Sequence, residues 1–199
     1  MTDSLSEIDG ILHAFGEMNA AWGHYEDAVF MLLFTVLDIQ HGTAEHAIRN
    51  EIDLKTATGI LKSAAVIDEK LIVRDQILQL VKWTDRPMRE DRNRFVHDPI
   101  YSGGPGFEQL QYVTRTKRPQ SFKPPRASVI SARPITKDLL RSFTNAIRKA
   151  EAFSAAIQHH LSDEPEDFLP MTVVEGRQDD LAKAIASYID ITKSLVSKK

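Results

Sequence analysis

Cysteine is absent from the 199 residues. That excludes a disulfide scaffold, zinc ribbons, iron–sulfur clusters and any thiolate nucleophile, and it fits a reducing compartment. Long apolar runs are missing too. The longest stretch, Ala28 to Leu37 with Thr35 inside it, falls far short of the roughly 20 residues that a bilayer span needs. No basic segment precedes an apolar one at the N-terminus, so no signal peptide is expected, and the expectation is a cytoplasmic protein without a membrane partner. Basic residues are absent from 1–48, where eight acids stand: Asp3, Glu7, Asp9, Glu17, Glu26, Asp27, Asp38 and Glu45.

What is present is an apolar content of 42% and a charged content of 27%, enough to bury a core and typical of one folded domain. The net charge of −3 hides a segregation. Residues 109–137 carry Arg115, Lys117, Arg118, Lys123, Arg126, Arg133 and Lys137 without an acid, and Asp163 to Asp180 is acidic again. Such a pattern suits a basic surface facing a polyanion, complementary surfaces in an oligomer, or a solvated hairpin that is basic without further purpose.

Residues 4–40 have the clearest periodicity. Ile8, Ile11, Phe15, Met18, Trp22, Tyr25, Val29, Leu32, Val36 and Ile39 follow steps of three and four, an apolar seam on a long helix and the mark of a bundle core. Gly10, Gly16 and Gly23 lie within it, with a break conceivable near Gly23. Thr43 is placed as the cap of a short helix to about Glu51, and Asp53 as the cap of another. A longer helix is expected from Asp68, kinked or restarted at Pro87, because proline lacks the amide proton and clashes with the preceding turn. It resumes over Met88 to His97 and stops at Asp98, ahead of a proline. Tyr101 to Gly106 reads as a loop, with Phe107–Thr116 and Ala127–Ala132 as strands of a hairpin with a basic, proline-stiffened tip. Helical periodicity returns after Pro134 with Thr136 as cap. An acidic linker over 163–176 then leads to a last helix over 177–199.

Several chemistries drop out. His41 and His46 are about 140° apart on a helix, and His159 and His160 point apart, so neither pair makes a metal face. No zinc-protease motif, Walker loop or nucleophile elbow occurs. Gly103-Gly104-Pro105-Gly106 is no phosphate cradle, since no helix follows it. The remaining segment is Glu90-Asp91-Arg92-Asn93-Arg94-Phe95-Val96-His97-Asp98. Arginine can clamp a phosphate and histidine can move a proton near neutral pH, which suffices for metal-free RNA cleavage by the 2′-hydroxyl. Asn93 shares a helix face with His97 and can orient its imidazole. Arg92 and His97 themselves lie about 140° apart on one helix, so two copies meeting across an interface gather them better than one. The plainer alternative is structural, with Arg92 holding a carboxylate or carbonyl and His97 capping the helix end.

With an apolar residue before the histidine, Arg92-Asn93-Arg94-Phe95-Val96-His97 resembles the hallmark of the HEPN superfamily (higher eukaryotes and prokaryotes nucleotide-binding domain). The resemblance covers about residues 4–162 and is specific in the hexapeptide. It implies an all-α fold: an antiparallel bundle that dimerises over residues 1–162, to which a β-hairpin near 107–132 and the C-terminal helix are additions. It further implies a metal-independent endoribonuclease of the defence or toxin–antitoxin kind, with Arg92 and His97 catalytic and Asn93 supporting. The expected partners are a second copy and RNA steered by Arg115, Lys117, Arg118, Lys123 and Arg126, with no cofactor and no metal. The alternative is a non-catalytic HEPN-like dimer in which the cluster is structural and a protein partner or nucleotide is bound. An antitoxin-like or regulatory protein, suggested by the acidic N-terminal third, is a further alternative.

Overall fold

The computed structural model describes residues 2–39, 42–68, 71–98, 100–103, 106–114, 127–162 and 166–196. It is all-α in class. The chain runs through α1 (Thr2–Val36), α2 (Thr43–Glu51), α3 (Leu54–Ile67), α4 (Arg74–Trp83), α5 (Arg89–His97), α6 (Lys137–His160) and α7 (Met171–Val196). Between α5 and α6 the backbone of β1 (Ile100–Gly103), β2 (Gly106–Thr114) and β3 (Ala127–Ile135) pairs antiparallel in that order. β1 and the opening of β2 thus occupy stretches that composition assigns to a loop, because a glycine-rich segment can still pair its backbone groups with a neighbour. The expected basic tip, with Arg115, Lys117, Arg118, Lys123 and Arg126, lies outside the described residues.

α1 packs along α6, and α6 along α7. Their seams interlock into one core that includes Met18, Trp22, Tyr25 and Leu33 of α1, Phe143, Ile147 and Phe153 of α6, and Val174, Leu181 and Tyr188 of α7. The helices approach closely where Ser154 donates to the Ala28 carbonyl at 3.0 Å, which gives a buried hydroxyl its partner. α7 therefore shares the core of the bundle. It begins at Met171, earlier than the acidic composition suggests, with the Pro170 carbonyl accepting from Val173 at 2.9 Å. The connection from α6 is held by the His160 ring, whose Nδ1 lies 2.6 Å from the Leu169 carbonyl.

α1 runs unbroken through Gly23, whose missing Cβ faces open space. The neighbours Trp22 and Tyr25 are buried, and their packing outweighs the roughly 1 kcal/mol propensity cost of the glycine. Gly42, at φ 137°, occupies the cap position expected for Thr43, and Thr43 is the first helical residue. α4 starts at Arg74 rather than near Asp68, because Asp68 closes α3 with its amide on Ala64 and the chain turns before restarting. The Asp53 and Thr136 caps form as expected, accepting from Thr56 at 2.8 Å and from Leu139 at 3.1 Å. At Pro87 the helix breaks through a wide turn over Thr84–Met88, with Arg86 in an extended conformation, as the residue before a proline prefers.

Candidate functional site

Two anchors place α5. Phe95, buried inside the Arg92-to-His97 segment, packs edge-on against Phe15 of α1 at 6.2 Å and tilted against Phe143 of α6 at 5.2 Å. Phe143 in turn meets Tyr188 of α7 at 4.9 Å, so one aromatic ladder ties four helices together. Upstream, the buried Tyr25 hydroxyl donates to Thr84, and Thr84 donates to the Leu80 carbonyl at 2.8 Å, fixing the turn that carries Pro87. Burial drives the Tyr25 phenol well above its ordinary pKa, the Asp85 charge adds to the rise, and the Thr84 bond partly opposes it. The hydroxyl is thus a permanent donor.

Arg92 is half-buried. Its guanidinium carbon stands 5.7 Å from the centre of the Trp22 ring, within cation–π range, and one Nη lies 3.4 Å from the Asn93 amide oxygen. Its Nε is buried and makes no hydrogen bond among the described residues. Trp22 is held from below, its indole N–H donating to Glu26 at 2.7 Å. His97 ends α5 with an exposed ring. Asn93 accepts from Arg92, and among the described residues no hydrogen bond joins it to His97.

Arg92 and His97 open onto different concavities, with Asn93 on the ridge between them. The Arg92 side is a cleft of about 380 Å³ bounded by Trp22, the start of α3 at Leu54 and Lys55, and Arg89. The His97 side is a cleft of about 570 Å³ lined by Pro87, Glu90, Asp91, Arg94 and Asp98. The second cleft is rich in carboxylates; Arg86 pairs with Glu90 at 2.9 Å and Arg94 with Asp98 at 3.2 Å. One chain therefore does not bring Arg92 and His97 onto one phosphate. A phosphate at His97 draws on positive charge from elsewhere, since the three carboxylates that line this cleft repel an anion.

Trp22, Glu26, Lys55 and Arg89 are part of this site and were not singled out from the sequence. Arg89 was within reach, three residues before Arg92 and hence on the same helical face, and so was the Trp22–Glu26 pair at a spacing of four. Lys55 reaches the site through the tertiary fold alone. Among the described residues no group of three or more His, Asp or Glu is arranged to hold a metal ion, and no described helix is long and apolar enough to cross a membrane. Comparison with protein-family models, with curated proteins and with solved structures gives no match. The structure defines a helical bundle protein, and no family is identified.

Proposed function

We propose that this chain is a HEPN-like endoribonuclease that works as a homodimer without a metal ion. In the composite site, His97 of one copy meets Arg92 of the other on one phosphate. His97 takes the proton of the 2′-hydroxyl as its oxygen attacks the adjacent phosphorus, and Arg92 neutralises the charge that builds on the phosphoryl oxygens. The bond to the 5′-oxygen breaks, and that oxygen takes up a proton. The products are a 2′,3′-cyclic phosphate and a 5′-hydroxyl. Asn93 supports Arg92, and the basic segment with Arg115, Lys117, Arg118, Lys123 and Arg126 steers RNA.

The observation that carries this reading is the pair of uncommitted groups on one short, anchored helix. The His97 ring is exposed, and the Arg92 Nε is buried with no hydrogen-bond partner among the described residues and opens onto a different cleft from His97. The test is cleavage of a mixed RNA pool in EDTA by wild type, Arg92→Ala, His97→Ala and an equimolar mixture of the two variants. Each variant alone is expected to be inactive, and the mixture to regain activity through mixed dimers that hold one intact site. A monomer at micromolar concentration, or cleavage by His97→Ala, overturns the reading.

The stack of Arg92 on Trp22 favours a second reading, a non-catalytic HEPN-like binding or scaffold dimer in which the cluster is structural. It requires absence of cleavage together with a clear loss of melting temperature in Arg92→Ala.

A further inference from the structure

The cleft on the Arg92 side has more cationic donors than its own carboxylates use. Lys55, Arg89 and Arg92 line it. Its two acids already accept hydrogen bonds from their own surroundings: Glu26 from the Trp22 indole, and Asp53 from the Thr56 amide and hydroxyl at 2.8 and 2.7 Å. Those Thr56 bonds, the hydroxyl's first, hold the Asp53 carboxyl below its usual pKa, so it stays an engaged acceptor. The Arg92 Nε is buried and makes no hydrogen bond among the described residues, and Arg89 carries an ion pair with Asp85 at 3.3 Å on the side away from this cleft. A buried charged donor left unmet is costly, and a multidentate oxyanion can meet the Arg92 guanidinium together with the Arg89 guanidinium and the Lys55 ammonium beside it.

We propose that this cleft binds a phosphate group, held by the Lys55 ammonium and the Arg89 and Arg92 guanidiniums over the Trp22 ring. The site shares Arg92 with the nuclease reading but uses two groups which that reading does not, and it needs no cleavage to operate. The phosphate is either a terminal monoester or an internal diester of a nucleic-acid strand, two sources with one recognition chemistry.

Trp22 is a built-in reporter. In a Trp83→Phe background its emission is followed while inorganic phosphate replaces chloride at constant ionic strength. A saturable change is expected, weakened about tenfold or more in Lys55→Gln and in Arg89→Gln. A Lys62→Gln control, outside this cleft, should bind as the parent does. Lys55 is exposed, so its variant keeps the test decisive if Arg89→Gln melts early. Short DNA strands, which lack the 2′-hydroxyl and are immune to the proposed cleavage, then separate the sources. Tighter binding of a 5′-phosphorylated strand than of its 5′-hydroxyl twin assigns a terminal monoester, and equal binding assigns the diester. An emission that does not saturate with phosphate, or equal affinity in Lys55→Gln, overturns the proposal.

Discussion

Two arginines lean on aromatic rings of α1, and they differ in what else they do. Arg49 of α2 lies over both Phe30 and Phe34, at 5.5 and 5.6 Å, and pairs with Asp27 at 2.6 Å and Glu45 at 3.2 Å. Both faces of its chemistry are used, and it fastens α2 to α1. Among the described residues, Arg92 of α5 leans on the Trp22 ring, reaches one neutral amide oxygen at 3.4 Å and keeps a buried Nε without a hydrogen-bond partner. The same type of side chain, leaning on the same helix α1, is thus a closed fastening at Phe30 and Phe34 and an open donor set at Trp22. A guanidinium whose donors are all engaged contributes to folding. One with donors left over is available to an anion.

The largest way to break the contrast is to remove the seat of α5. Phe95→Ala should cost about 3–5 kcal/mol, because a buried ring packed against α1 and α6 leaves a cavity when it is cut back. Chemical denaturation would measure this, and a loss below about 1 kcal/mol would show that Phe95 does not hold the motif in place. Arg49→Ala should cost about 1–2 kcal/mol from two ring contacts and two partly exposed ion pairs. Thermal melts against Arg92→Ala make the comparison direct.

Asp53→Ala, which removes the cap of α3 beneath the Arg92 cleft, should cost about 1 kcal/mol. Because the folded-state pKa of Asp53 is depressed, the cap's contribution is present above the ordinary aspartate range and disappears as pH falls through the folded value. The difference between wild type and Asp53→Ala should therefore shrink in strong acid, and a gap that persists there would assign it to packing. The smallest thermal effect belongs to Arg92→Ala, within about 0.5 kcal/mol, with cleavage abolished. A drop as large as that of Arg49→Ala would erase the distinction between the two arginines and favour the structural reading.

Much of the helical framework was legible before any coordinates. The steps of three and four from Ile8 to Ile39, the Asp53 and Thr136 caps, the break before Pro87 and the stop at Asp98 are local rules, and local rules survive folding when tertiary packing agrees with them. Where they failed, a longer-range or backbone term took over. Gly23 did not break α1 because the buried residues around it hold the helix. The acidic stretch before α7 hid Val174, which lies seven residues ahead of Leu181 and belongs to the same buried seam. Gly42 displaced Thr43 as cap because a positive φ suits glycine.

By itself the sequence determined that this is a helical protein with one apolar seam per long helix, and that Arg92, Asn93 and His97 share a short helix ending at Asp98. Spacing on a helix is set by a fixed rotation per residue, so it also determined that Arg92 and His97 diverge. Only the tertiary structure decided what Arg92 meets from elsewhere in the chain, Trp22 and Lys55, whereas Arg89 and the carboxylates beside His97 are neighbours along α5. Trp22 comes from α1 and Lys55 from α3. Their meeting depends on how whole helices pack, a collective outcome of core burial that no local spacing encodes.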